Sequence, residues 1–292
     1  MPCPLRSRAS LLLLLVAGLL STGCTKFDVL NATIPSFGYA RTADLPYGAI
    51  PRQKLDVYRP RSVPADAKPG AKVVVFFYGG YWQYGEKGDY RFVAEALASR
   101  GFVAVLPDYR VYPETRFPGF VEDGALAVKW VHDHIAQFGG DPQHIYLMGH
   151  SAGAHIATLL ALDPHYLQAV GLSTGVIRGA VGLSGPYDFQ PDDSDRAVFG
   201  MQPGDPRNPA IEPIHFARAD APPLLLVQGC QDNVVDPQNT IKLARAIRAV
   251  GGAVQTIFYH SRGHAGIALA FAWDFRWLAP VLTDTTAFVN QH

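Results

Sequence analysis

The pentapeptide Gly149-His150-Ser151-Ala152-Gly153 constrains this chain more than any other segment. It follows the apolar run His144 to Met148 and precedes the helix-forming stretch Ser151 to Leu162. A serine caught between a strand and a helix must sit in a sharp turn. Side chains at the two flanking positions would strike neighbouring elements, so glycine occupies both. The turn also puts the serine at a helix N-terminus, where the dipole favours a developing negative charge. A G-x-S-x-G turn in this context lifts a hydroxyl above the edge of a parallel sheet. Taken alone, the pentapeptide also reads as a plain Gly-rich turn.

The rest of the chain supplies the sheet. Lys72 to Tyr78 (KVVVFFY) is β-branched and aromatic, the composition of a buried strand, and Lys54 to Tyr58 alternates like one. Further strands are expected at 102–106, 144–148, 178–183, 223–228 and 253–259. Helices are expected at 89–100, 119–138, 151–162 and 238–250, and 266–282 reads as mostly helical. Strands separated by helices make βαβ units and a mainly parallel sheet. Residues 25–70 are too often broken by proline to hold a long element. The segment 185–222 interrupts the alternation with six prolines before Pro222 and with Asp188, Asp192, Asp193 and Asp195. A loop of that length in a compact domain is a lid or a binding element. One domain over 24–292 with a cap inserted near 185–222 is therefore expected.

A serine hydroxyl is a weak nucleophile without a base. The chain order that goes with such a turn is Ser, then Asp or Glu, then His. Asp232 stands a short loop beyond the strand 223–228 and is the preferred acid. Asp236, just before Pro237, is the rival and suits capping of the next helix. His264, in the Gly-flanked loop after the last strand, is the preferred base over His260. His155 is fixed to the wrong element, and His132, His134, His144 and His165 suit surface positions. Consecutive glycines after Lys72 to Tyr78 let backbone N–H groups face a ligand. Trp82 and Tyr84, with Tyr187 and Phe189 of the cap, are candidates to line a pocket or, equally, to fill the core.

The N-terminus reads as a leader. Arg6 and Arg8 precede an apolar run, Leu11 to Leu20, about half the length needed to cross a bilayer. Ser21-Thr22-Gly23-Cys24 follows and resembles the cleavage box of bacterial lipoproteins. That resemblance implies a signal peptide over 1–23, a lipid on Cys24, and an exported chain held at a membrane of the cell envelope. Cys3 lies in the leader, so Cys230 would be the one thiol left, with no internal disulfide possible. Lys plus Arg equals Asp plus Glu at 25 each, and loss of Arg6 and Arg8 leaves 23 against 25. With no basic run, nucleic acid is not an expected partner.

The motifs YGGYW, PDYR with YPE, GGDP, GHSAG, GCQDNVVDP and RGH, in that order, are similar to those of α/β-hydrolase esterases. They resemble in particular the hormone-sensitive-lipase-like and kynurenine-formamidase-like carboxylesterases of bacteria, from about Leu55 to about Phe275. The resemblance implies the α/β-hydrolase fold, with Ser151 as nucleophile, His264 as base and Asp232 as its orienting acid. It implies an oxyanion hole from the N–H groups of Gly80, Tyr81 and Ala152, and a small-molecule ester as substrate. No cofactor or metal is implied. One departure is Tyr78, where the HGGG-type loop begins with His. Arg110 and Glu114 match a segment that is structural in these families. A short-chain acyl ester is the expected substrate, with an aryl formamide or amide, or a non-catalytic binding role, as alternatives.

Overall fold

A computed structural model describes residues 26–192, 195–202, 205–206 and 208–292. The leader, Cys24 and Asp193 lie outside the described residues. Among the described residues eight strands form one sheet in the order β1-β2-β4-β3-β5-β6-β7-β8. They are β1 Tyr39–Pro46, β2 Lys54–Pro60, β3 Ala71–Phe77, β4 Val103–Pro107, β5 Gly140–His150, β6 Ile177–Leu183, β7 Leu224–Gly229 and β8 Val254–Tyr259. The β1–β2 and β2–β4 pairs are antiparallel, and all pairs from β4 to β8 are parallel. Among the described residues the α-helices are α1 Lys26–Ala32, α2 Arg91–Ala98, α3 Gly119–His134, α4 Ala152–Leu162, α5 Pro164–Ala169, α6 Gln238–Ala249, α7 His264–Leu269 and α8 Val281–Gln291. This is the α/β-hydrolase fold.

The topology fixes where a site can form. From β3 the chain goes to β4 on one side of the sheet, then returns to β5 on the other. The crevice at such a switch point, beyond the carboxyl ends of the strands, is where open α/β sheets bind ligands. Here Phe77 pairs with Gly149, so the loops after β3 and β5 start side by side. On the far side Gly229 of β7 pairs with Tyr259 of β8. Asp232 and His264 therefore follow neighbouring strand ends.

The central strands are buried on both faces, as their unbroken apolar runs require: Val73 to Phe77 and Leu224 to Val227 are each essentially inaccessible. Every residue of α4 is buried, so this helix is covered around its whole circumference rather than on one stripe.

Three elements carried too little pattern to be read from sequence. Strand β1 is an exposed edge whose register breaks between Thr42 and Leu45, which dilutes its alternation. Helices α1 and α5 are only 7 and 6 residues long. The expected helical stretch 266–282 is a short α7, a 3₁₀ turn at Trp273–Phe275 and then a new helix, α8, entered through Pro280. Proline lacks the N–H that a continuous helix needs and so marks the start of α8. The segment 185–222 holds only 3₁₀ turns among its described residues. Its Phe189 and Phe199 pack on Trp82, at ring separations of 5.8 and 4.9 Å.

His155, within α4, is fully buried. Its Nε2 lies 2.6 Å from the Ile211 carbonyl, which only accepts, so Nε2 carries the proton. Burial outweighs that bond and pulls its pKa down to about 4. The folded pKa lies below the unfolded value, so the unfolded chain binds more protons as pH falls through 6.5. Stability is then lost on acidification. In urea titrations between pH 6 and 4.5, His155→Phe should lose stability less steeply than the parent, by up to about 1.4 kcal/mol per pH unit. Equal slopes would mean that His155 is charged in the folded protein.

Candidate active site

Ser151 follows β5 and immediately precedes α4, with φ 55° and ψ −121°. Left-handed φ is uncommon for a residue with a Cβ, and such strain costs of order 1–3 kcal/mol. The surroundings hold it there. The Ser151 N–H donates to the Leu183 carbonyl at 2.9 Å, and its own carbonyl accepts from Ala154 and His155. A Cβ on Gly149 would lie 2.1 Å from the Gly153 carbonyl oxygen, and one on Gly153 would lie 2.0 Å from that of Phe77. Both glycines are therefore required by close approach of backbone to backbone. The hydroxyl-bearing side chain borders a cleft of about 260 Å³.

The pair expected to partner Ser151 is assembled. His264 Nδ1 lies 2.9 Å from Asp232 Oδ2. The other oxygen, Asp232 Oδ1, accepts from the N–H groups of Val234 and Val235 at 3.0 and 2.9 Å. Burial pushes the Asp232 pKa up, but His264 and these backbone donors outweigh it and hold the carboxyl below its ordinary value. The group is thus an ionised acceptor at neutral pH, and the proton on His264 sits on Nδ1. That leaves Nε2 of His264 as the basic nitrogen.

Asp236 is spent differently. Its Oδ1 accepts from the Gln238 N–H at 2.9 Å and so caps the start of α6, although the residue also borders the cleft. His260 is exposed, with its Nδ1 3.7 Å from the free thiol of Cys230. Sequence reasoning missed Gln228, the last residue but one of β7. Its Nε2 donates to Asp232 Oδ2 at 2.9 Å while its Oε1 accepts from the Thr240 hydroxyl at 3.1 Å. A glutamine inside an apolar strand was the available signal, since a buried amide needs partners.

The loop after β3 has left-handed or glycine-like φ at Gly80 (137°), Tyr81 (55°) and Trp82 (57°). Its turn is closed by N–H donation from Gln83 and Tyr84 to the Gly80 carbonyl, at 2.9 and 2.8 Å. Among the described residues, no backbone carbonyl takes the N–H of Gly80 or Tyr81. Tyr81 and Ala152 both border the cleft. Tyr78, the departure from His, is fully buried and stacked on Tyr109 at 4.3 Å, with its hydroxyl 3.3 Å from Arg52 Nη2. Tyr78 anchors the loop by ring stacking and this contact.

Of the four aromatic candidates, Trp82 and Phe189 line the cleft. Tyr187 does not, which corrects the expectation for it. Its ring is wholly buried against Gly182 and Gly185, where an added Cβ would lie 2.0 and 2.5 Å from it. Pro186 borders the cleft, whereas the next residue, Tyr187, turns into the core. Tyr84 is 67% exposed and outside the cleft. Asp195 is a cleft residue that sequence reading left unassigned. Burial first, and Asp192 second, push its pKa up to about 6 against a bond from Gln83. Arg110 pairs with the buried Asp123 at 2.7 Å, a structural contact.

Sheet, turn and loop order together define an α/β-hydrolase chain with a serine in the turn between β5 and α4. The chain belongs to the BD-FAE family, whose model matches residues 55–247. It is 32% identical over 222 residues to esterase LipC of Mycobacterium tuberculosis, covering 70% of this chain and 54% of that protein. It is 30% identical over 247 residues to a probable isoprenylcysteine alpha-carbonyl methylesterase of Arabidopsis thaliana, covering 76% of this chain and 50% of that protein. The chain thus spans about half the length of these curated relatives. Among solved structures, the propionate-bound esterase 2 of Thermogutta terrifontis superposes with a TM-score of 0.71 at 26% identity, over 88% of this chain and 96% of that one.

The two acids give a direct check. A proton in an Nδ1–H···carboxylate bond resonates far downfield in the proton spectrum. That resonance should vanish in Asp232→Asn and persist in Asp236→Asn. Persistence in Asp232→Asn would assign the His264 partner wrongly.

Proposed function

We propose that this chain is a serine-dependent carboxylic ester hydrolase for small or short-chain acyl esters. The observation that carries the reading is Ser151, strained into the turn after β5, beside a His264–Asp232 pair bonded at 2.9 Å, with the His264 carbonyl 3.2 Å from Nε2 of His150, the residue preceding Ser151. His264 takes the Ser151 proton on Nε2 as the hydroxyl oxygen attacks the acyl carbon. Asp232 holds the imidazole in its Nδ1–H tautomer and stabilises the imidazolium that forms. The N–H groups of Gly80, Tyr81 and Ala152 receive the oxyanion, each such donor contributing about 3–4 kcal/mol. His264 then protonates the departing alcohol. Water, deprotonated by the same nitrogen, attacks the acyl-enzyme and restores Ser151.

The small cleft lined by Trp82 and Phe189 supports a short acyl group. So does the propionate held by the Thermogutta relative. The names of the curated relatives support ester over amide bonds. The leader-like residues 6–24 support export and a lipid anchor at Cys24.

Hydrolysis of p-nitrophenyl esters from acetyl to palmitoyl, beside Ser151→Ala, tests this. Acetyl to butyryl esters should be cleaved, with kcat/KM at least about 10-fold lower by octanoyl. Ser151→Ala should lose at least about 10³-fold. A maximum at long chains contradicts the short acyl subsite. Activity on formanilides alone moves the reading to amides, and full activity in Ser151→Ala overturns it.

A further inference from the structure

His150 lies between the two glycine-flanked halves of the turn, and nothing in the proposed reaction uses it. It is buried, as is Tyr90, the last residue of the 3₁₀ turn that leads into α2. The two imidazole nitrogens of His150 have different partners. Nε2 lies 3.2 Å from the backbone carbonyl of His264. Nδ1 lies 3.2 Å from the Tyr90 hydroxyl. A carbonyl only accepts, so the proton of His150 is on Nε2 and Nδ1 accepts from Tyr90. The rings of His150 and His264 are 4.7 Å apart. Gly79 packs against the same ring, because a Cβ there would lie 3.2 Å from Nδ1.

We propose that Tyr90 and His150 are positioning residues that brace the loop after β3, carrying the Gly80 and Tyr81 donors, against the loop carrying His264. The proposal rests on the roles given above to Ser151 and His264. A buried histidine that served packing alone would need its two nitrogens satisfied by any convenient groups. Here the partners are the backbone of the base itself and a tyrosine whose ring stacks 6.3 Å from that of Tyr78, where the loop after β3 begins. The brace also suits the charge changes of catalysis. Burial, and second the nearby His264, hold the His150 pKa down at about 3. His150 thus stays neutral while His264 becomes an imidazolium, so no second positive charge opposes that step. Neither Tyr90 nor His150 borders the cleft at Ser151, so the brace acts on geometry and leaves substrate contacts alone. Displacing a catalytic group by about 1 Å costs on the order of 10²-fold in rate.

Two amide substitutions separate the halves of the brace. The Gln amide reaches the Nε2 position and the Asn amide the Nδ1 position. His150→Gln keeps the donor to the His264 carbonyl, and His150→Asn keeps the acceptor for Tyr90. With p-nitrophenyl acetate, Tyr90→Phe should lower kcat about 10-fold or more, with KM within about 2-fold. The same Tyr90→Phe change should cost as much again in His150→Asn, and little further in His150→Gln, where that bond is already gone. Unchanged kcat, a loss confined to KM, or equal losses in both backgrounds would overturn the brace. Parallel assays of the parent and Ser151→Ala show separately whether the ester reading holds. If the parent is inert, imidazole ¹⁵N shifts decide the brace by themselves. At pH 7 His150 should show a protonated Nε2 and a bare Nδ1 whose shift moves in Tyr90→Phe. The opposite tautomer, or no movement, would refute it.

Discussion

The site depends on one close approach: Gly153, in the first turn of α4, lies against the carbonyls of Phe77 and Tyr78 at the end of β3. The distance leaves no room for a methyl group. Because α4 is buried all round, this contact is held by the apolar surface of an entire helix rather than by local bonds. The pairing of Phe77 with Gly149 then sets β3 and β5 in register, so the loop after β3 and the serine turn emerge together. The strained φ of Ser151 follows from that packing. Stability of the core is converted into a fixed direction for one hydroxyl.

A second set of contacts works from the other side of the sheet. β7 and β8 deliver Asp232 and His264 from adjacent strand ends, and Gln228 and Thr240 hold the carboxylate from below. His264 first, and then the backbone donors of Val234 and Val235, hold the Asp232 carboxyl below the ordinary value against burial. The segment after β6 closes the cleft with Phe189 and brings in Asp195, whose carboxyl is raised by burial. The cleft therefore places the carboxyls of Asp192, Asp195 and Asp236 in one lining with the aromatic Trp82 and Phe189.

Much of this was legible in the sequence, because the central strands are continuous β-branched runs and the turn glycines have no substitute. The chain order of Ser151, Asp232 and His264 follows from motif order along the parallel sheet. What the sequence hid was long-range partnering. Tyr187 and Phe189 are both cap aromatics in the sequence. Only the direction of the chain after β6 sends one to the core and the other to the cleft. Gln228, Tyr90 and His150 are tied to their partners across separate elements, and no local spacing encodes such contacts. Strand β1 was missed for a different reason: an exposed edge has no buried face to impose alternation.

The central claim is that Ser151 is the activated nucleophile of this site. Reaction with a fluorophosphonate, followed by peptide mapping, tests it most directly. The account predicts one adduct per chain, on the peptide containing Ser151, with labelling slowed strongly in His264→Ala. No adduct on the folded protein, or an adduct on another residue, would contradict it.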